Sequence, residues 1–263
     1  MTSYSNTHLD HTIEGEFNKL AFDLVHAEEN KALYRTASNK LSAKQYVIDK
    51  VGSQYVANTV NGSGVEHIRK HSLLNGINSL VYANGVVQNS DALDDERITD
   101  EITQETWYFW EDQKPGELFN EEVLADEIHE YKFYCYQGNI LCVTYYKQDK
   151  SDDYNSIRTM VTYPDLQPSP IAALAPGWMD NANGLLDDAK ASNEGTFRHS
   201  DNWTTIVWLA ETLAADFPII RVDIFDTPNG VYFGEFTASF RSFSMTQDSD
   251  EAMMTLINAQ NGE

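Results

Sequence analysis

Apolar and polar residues alternate along two short runs late in the chain. In residues 219–225 (Ile-Ile-Arg-Val-Asp-Ile-Phe) the charged side chains fall at every second position, and residues 231–237 (Val-Tyr-Phe-Gly-Glu-Phe-Thr) repeat the pattern. A period of two predicts strands. Asp226-Thr227-Pro228-Asn229-Gly230 between them has turn chemistry ending in Asn-Gly, so the two strands are expected to pair as a hairpin. On this reading Arg221, Asp223 and Phe225 share one face of the first strand. Glu235 and Thr237 share one face of the second, with Tyr232 and Phe236 opposite.

Elsewhere the period is longer. From Phe17 the spacing of Phe17, Leu20, Leu24 and Val25 predicts a helix, and Trp203, Val207, Trp208, Leu209, Ala210 and Leu213 predict another that feeds through Pro218 into the paired strands. Residues 251–258 read as a short terminal helix. Residues 123–125 read as an apolar strand running into an acidic link. A hairpin is expected to turn at Gln137-Gly138-Asn139, with Cys135 and Cys142 on its two arms. Residues 1–12 are polar, 89–105 read as an acidic solvated loop or helix face, and 171–202 form a Gly/Asn/Asp-rich connection. The run Trp107-Tyr108-Phe109-Trp110 suits core or interface packing, or else an acceptor platform.

Composition narrows the function class. With 263 residues, 41% hydrophobic and 12% aromatic, the chain can bury a substantial core as one large domain or two lobes. A net charge of −23 argues against a nucleic-acid backbone or an anionic membrane as the main partner. It leaves ATP open, since a local cluster of basic residues and Mg²⁺ overrides the global field. No apolar run approaches the roughly 18 residues of a membrane-spanning helix, and the first residues lack the basic and apolar segments of a secretory signal. Two cysteines without a partner motif are expected to be reduced thiols in a cytoplasmic protein. The sequence contains no internal repeat, Walker A motif, GxGxxG, GxSxG elbow or His/Cys metal spacing.

The candidate chemistry lies on the paired strands. Two carboxylates on adjacent strands, Asp223 and Glu235, suit a hard cation such as Mg²⁺, with a substrate phosphate supplying further oxygens. Arg221 suits a phosphate or a developing oxyanion. The same residues could instead form a cross-strand ion pair on a solvated face. Changing either carboxylate to its amide removes charge repulsion and little volume, so the fold is expected to survive it.

Arg221-Val222-Asp223, a short turn, then Tyr232-Phe233-Gly234-Glu235-Phe236-Thr237 resembles the last strands of the ATP-grasp fold, in its TupA-like (teichuronopeptide-biosynthesis) branch. The resemblance implies that Asp223 and Glu235 hold Mg²⁺ and that Arg221 contacts the transferred phosphate. Thr237 stands where many such enzymes carry a third metal ligand, an asparagine. The opening of the chain is similar to the family's as well, through Phe17-Asn18-Lys19-Leu20, Leu33-Tyr34, Asn39-Lys40, Tyr46-Val47 and Gly52; these residues are expected to frame the first lobe. Asn39 replaces the family's aspartate there. After Thr237 the family's Pro and Gly are replaced by Phe240-Arg241-Ser242-Phe243-Ser244.

Between these ends the resemblance implies a nucleotide cradle. The family's Val-Leu-Lys-Cys-Asn-His-Gly-Ser-Gly corresponds to residues 56–64. There Gly62-Ser63-Gly64 keep the phosphate loop and Asn58 takes the lysine position. Ser79-Leu80-Val81-Tyr82-Ala83-Asn84-Gly85 is an alternative strand and turn, and Lys70 a further candidate cation. The family's Ile-Ile-x-Glu-Glu, a linker, then Asp-Tyr-Lys-Phe-x-Cys-Phe-x-Gly corresponds to Val123-Leu124-Ala125-Asp126-Glu127, a shorter link, then Glu130-Tyr131-Lys132-Phe133-Tyr134-Cys135-Tyr136-Gln137-Gly138. This implies backbone contacts to adenine near Asp126, Glu127 and Ile128, ribose contacts from Glu130, and nucleotide contact from Lys132. Lys147 and Arg158 could add phosphate charge, Arg158 in a catalytic role. Residues 163–168 resemble the family's Tyr-Asp-x-Asp-Trp-x-Pro. The resemblance covers roughly residues 17–56 and 121–243. It implies an α+β ATP-grasp fold: two lobes of antiparallel sheet plus helices, residues 1–120 and 121–263, with nucleotide between them. The implied activity is an ATP-dependent carboxylate–amine ligase acting through an acyl phosphate, in cell-surface polysaccharide or peptide-polymer synthesis. The alternatives are a degenerate nucleotide-binding protein without turnover, and a kinase on the same scaffold.

Overall fold

The computed structural model describes residues 13–62, 66–73, 80–83, 86–87, 116–148, 158–166, 197–238 and 247–262. Three helices open the chain: α1 (Glu16–His26), α2 (Lys31–Ser38) and α3 (Lys40–Val51). Then come β1 (His67–His71), β2 (Leu80–Ala83), β3 (Val86–Val87) and β4 (Leu118–Glu122). The second half holds β5 (Ile128–Tyr136), β6 (Asn139–Gln148), β7 (Arg158–Thr162), α4 (Trp203–Ala214), β8 (Ile219–Thr227), β9 (Gly230–Thr237) and α5 (Gln247–Asn261). The strands form two antiparallel sheets, in the orders β3-β2-β1-β4 and β7-β6-β5-β8-β9. The expected α+β class with antiparallel sheets is what the structure has.

The helices form where the sequence spaces them, and specific groups close their ends. Phe17, Ala21 and Val25 are the buried stripe of α1, with Leu20 and Leu24 packed at its edge. Its first turn is capped from the far end of the chain. The Asp250 carboxylate accepts Phe17 N–H at 3.1 Å and Asn18 N–H at 2.8 Å, which satisfies donors a helix start otherwise leaves open and places negative charge at the positive end of the dipole. Gly15, at φ 88°, is required beside it, because a Cβ there would lie 2.3 Å from the Asp250 carboxylate. Asn39 caps α3 by accepting from Leu41 N–H and Ser42 N–H at 3.0 and 3.2 Å. Asparagine and aspartate do this about equally well.

One face of the five-stranded sheet is the core. Tyr131 and Phe133 of β5, Val222 and Ile224 of β8, and Phe233 and Phe236 of β9 are buried with Ile206, Leu209, Ala210 and Leu213 of α4. Each such large side chain contributes about 1.5–3 kcal/mol by leaving water. The opening helices belong to this same core: Phe17, Val25, Tyr34 and Val47 are fully buried in it. Tyr34 locks α2 to the first residue of β8, its hydroxyl donating to Ile219 C=O at 2.5 Å and accepting from Ile219 N–H at 3.2 Å. From α3 the chain then crosses between the sheets. Val56 bridges to Phe233 of β9, and Thr59 bridges to Glu121 of β4.

The β5–β6 hairpin turns at Gln137 and Gly138, both at positive φ (48° and 77°), a two-residue turn whose twist matches that of the strands. The strand expected at residues 123–125 lies earlier, as β4, and residues 123–127 are the link. The terminal helix is longer than expected, spanning Gln247–Asn261.

Candidate functional site

The face of the five-stranded sheet opposite the core carries charge. Lys132 of β5 stands opposite Asp223 of β8, and Arg221 stands opposite Thr237 of β9. Asp223 is fully buried, and its carboxylate accepts from Arg221 Nε and Nη2, both at 2.7 Å, and from Lys132 Nζ at 2.6 Å. Arg221 Nη2 reaches on to Glu235 Oε1 at 3.2 Å, and Lys132 Nζ to Glu130 Oε1 at 2.7 Å. Two cations thus tie together three carboxylates, contributed by three strands.

A β-bulge makes this arrangement possible. Val222 pairs with Phe236 but Ile224 with Phe233, so Gly234 and Glu235 together oppose Asp223. Strict alternation would send Glu235 to the core side behind Val231 and Phe233. The extra residue shifts the phase, so Phe236 joins Val231 and Phe233 in the core while Glu235 turns toward Arg221. The expected pairing of Tyr232 with Phe236 on one face is corrected accordingly: Tyr232 pairs with Phe225 on the charged side. Gly234 fits the bulge because a Cβ would meet the Phe225 ring at 2.9 Å and Asp223 C=O at 3.1 Å.

Burial opposes ionisation of Asp223, but the pull of Arg221 and Lys132 outweighs it and holds the carboxyl below its usual range. Burial likewise pulls Lys132 and Arg221 down. For both, Asp223 reverses the shift, aided by Glu130 for Lys132, and the cations stay charged. Asp223, Lys132 and Arg221 are therefore ionised together in the neutral range.

A second charged group lies on the four-stranded sheet, where Glu121 of β4 is buried against Lys70 of β1 and Lys44 of α3, with Lys44 Nζ at 2.5 Å. Burial raises the Glu121 carboxyl, but the two ammonium groups bring it below its usual value. Lys44 also donates to Ala57 C=O at 2.8 Å, next to Asn58. Asn58 is held by Glu122, which accepts its N–H at 2.8 Å and its side-chain amide at 2.9 Å.

The remaining expected site residues are dispersed. Asp126 and Glu127 lie in the link and Ile128 opens β5; Glu127 Oε1 is 3.2 Å from His129 Nε2. Lys147 pairs with His129 in register and Arg158 with Tyr146. Gly62, at φ 73°, packs against Asn120 and His67. Ser63, Gly64, Ser79, Asn84, Gly85 and residues 107–110 lie outside the described residues. Sequence reasoning missed Lys44, Glu121 and the bulge. Of these only the bulge had a local signal, a lone glycine inside an alternating strand.

Residues 177–257 match the family described as TupA-like ATP-grasp. This is a TupA-like ATP-grasp region. It contains α4, β8, β9 and most of α5, and with them Arg221, Asp223, Glu235 and Thr237. No curated protein matches the chain. Among solved structures, D-alanine–D-alanine ligase from Helicobacter pylori is 14% identical over 92% of this chain and 68% of that one, with a TM-score of 0.41. The ATP-grasp ligase PsnB, complexed with a minimal precursor, is 13% identical over 91% and 68%, with a TM-score of 0.40. The L-amino acid ligase from Bacillus licheniformis is 11% identical over 83% and 47%, with a TM-score of 0.38. The family assignment rests on the match over residues 177–257.

ATP-grasp chemistry calls for Mg²⁺, and the site can be tested for it. Mg²⁺ takes hard oxygen donors and uses only one or two carboxylates, phosphates and water completing its shell. Asp223 and Glu235 are oxygen donors of that kind on adjacent strands, and in this structure Arg221 and Lys132 engage the Asp223 oxygens. Among the described residues no group of three or more His, Cys, Asp or Glu side chains forms a self-sufficient metal site. No described helix is long and apolar enough to cross a membrane.

Proposed function

We propose that the chain is an ATP-dependent ligase that joins a carboxylate to an amine through an acyl phosphate. The observation that carries this reading is the cluster of Arg221, Asp223, Lys132 and Glu235, set on one sheet face by the β9 bulge within a TupA-like ATP-grasp region. Asp223 and Glu235, with Thr237 beside them, would hold Mg²⁺, which when bound offsets charge on the nucleotide phosphates. Glu130 would accept from the ribose hydroxyls. The backbone of Asp126, Glu127 and Ile128 would meet adenine. Gly62-Ser63-Gly64, Lys132 and Lys147 would face the phosphates, between lobes formed by residues 1–120 and 121–263. Lys44 of α3 and Lys70 of β1 add charge near the asparagine in the proposed lysine position.

In the reaction a carboxylate oxygen attacks the γ-phosphorus, and the bond to the bridging oxygen breaks with its electron pair leaving on ADP. Arg221, with Arg158, would stabilise charge on the transferred group. An amine then attacks the acyl carbon, inorganic phosphate departs, and the amine loses a proton. The chain's work is to position reactants and stabilise charge. A small molecule or a cell-surface saccharide or peptide-like polymer is the proposed acceptor class, and the cytoplasm the proposed location.

One observation favours a second reading, nucleotide binding without turnover: Asn58 stands in the lysine position with its side chain engaged by Glu122. Phosphate release from Mg·ATP, measured across a panel of carboxylate–amine pairs, separates the two. The ligase reading expects release that requires both partners of at least one pair. Mg·ATP binding with no release for any pair would replace it with the second reading.

A further inference from the structure

Thr144 lies in β6 opposite Lys132 of β5. Paired residues of an antiparallel ladder point to the same face, so Thr144 shares the face that carries Lys132 and, through the pairing of β5 with β8, Asp223. Two residues earlier on that face, Cys142 is covered by α5, its Sγ 3.9 Å from Met253 Sδ. Thr144 therefore sits where apolar packing under α5 gives way to the charged cluster. It is 2% exposed, and among the described residues its Oγ1 has no hydrogen-bond partner. A buried hydroxyl left unpaired is a costly defect. Valine would fill the same volume without it. Among the described residues, the charged groups beside it on this face have partners within the protein: Lys132 has Glu130 and Asp223, and Asp223 has Arg221 as well. The unpaired donor is explained if its acceptor arrives with a ligand.

We propose that Thr144 is a nucleotide-binding residue whose hydroxyl donates to a phosphoryl oxygen of the bound nucleotide, next to Lys132. This rests on the nucleotide reading above. Side chains directly opposite one another across a sheet have Cβ atoms about 4.5–5.5 Å apart, a spacing that lets an ammonium and a hydroxyl engage two oxygens of one phosphoryl group. A phosphoryl oxygen, rather than the base or ribose, is assigned because the residue opposite Thr144 is a cation and the cluster beyond it holds Arg221.

The test compares wild type with Thr144→Val and Thr144→Ser, by calorimetric titration with Mg·ATP and separately with adenosine, and by thermal unfolding without ligand. Thr144→Val is expected to unfold at the wild-type temperature or above, because it removes an unpaired hydroxyl. Its Kd for Mg·ATP is expected to rise about tenfold or more, the loss of one hydrogen bond to a charged acceptor. Thr144→Ser is expected to stay within about threefold of wild type, and adenosine affinity to stay unchanged in both variants. Wild-type affinity of Thr144→Val for Mg·ATP overturns the proposal. So does a lower unfolding temperature of the free valine variant, which would show that the hydroxyl already has a partner in the fold. An equal loss with adenosine overturns the phosphoryl assignment. A wild-type protein that binds no Mg·ATP is a separate outcome, the failure of the nucleotide reading itself.

Discussion

Asp223→Asn is expected to destabilise the chain by about 3–5 kcal/mol, the range for removing one charge from a buried ion network. Asp223 is fully buried and accepts three hydrogen bonds from two cations. An amide would leave Arg221 and Lys132 short of negative charge and turn an N–H₂ group toward one of their donors. At about 2–4 °C per kcal/mol for a chain near this size, Tm is expected to fall by roughly 6–20 °C in a thermal scan. Glu235→Gln is the contrast. Its side chain is 31% exposed and makes one 3.2 Å contact with Arg221, so its loss is expected to cost about 1 kcal/mol or less. Read from the sequence alone, the two carboxylates are alike and either amide relieves repulsion. The structure separates them. Equal unfolding temperatures for the two variants would show that the network is not what holds Asp223.

Arg221→Ala is expected to lower the rate of phosphate release by at least about 100-fold while Mg·ATP affinity stays within about tenfold. Removing one donor aimed at developing charge costs about 2.7–4 kcal/mol of barrier, or roughly 10²–10³ in rate. Here the dependence is sharpened on the proposed reading, in which Asn58 takes the lysine position and carries no charge. Arg221 also neutralises Asp223, so the variant must be assayed well below its own unfolding temperature. Arg221→Lys is expected to recover only part of the rate. The guanidinium bonds both Asp223 oxygens and reaches Glu235, whereas a single ammonium cannot reproduce that fork. A release rate within about tenfold of wild type for Arg221→Ala would remove Arg221 from the chemistry.

The elements with strong local signals were legible in the sequence. Alternation in residues 219–225 and 231–237 predicted β8 and β9, and the 3.6-residue spacing from Phe17 and from Trp203 predicted α1 and α4. The convergence of Arg221, Asp223 and Glu235 was legible too, although through a simplification. Period two happened to group Glu235 with Thr237, but the bulge at Gly234 is what brings them round to Arg221 and returns Phe236 to the core. What stayed hidden depends on contacts between distant parts of the chain. The cap of α1 comes from Asp250, more than 230 residues away. The pairing of Lys44 with Glu121 joins a helix to a strand 77 residues further on. No local periodicity encodes either. The shifted β4 has a different cause. Residues 123–125 are as apolar as a strand needs to be, whereas the strand itself, Leu-Phe-Asn-Glu-Glu, spends three of five positions on polar side chains. One of those, Glu121, is buried because Lys44 and Lys70 compensate its charge.

The measurement that tests the account most directly is calorimetric titration of the wild-type chain with ATP, with Mg²⁺ present and then with Mg²⁺ removed by a chelator. Binding is expected at a micromolar to millimolar Kd, about 4–8 kcal/mol, and is expected to weaken without Mg²⁺, because two cations cannot offset three carboxylates and a triphosphate together. No heat, together with no rise in unfolding temperature at millimolar Mg·ATP, would contradict it. The cluster of Arg221, Asp223, Lys132 and Glu235 would then be a structural ion network and not a nucleotide site.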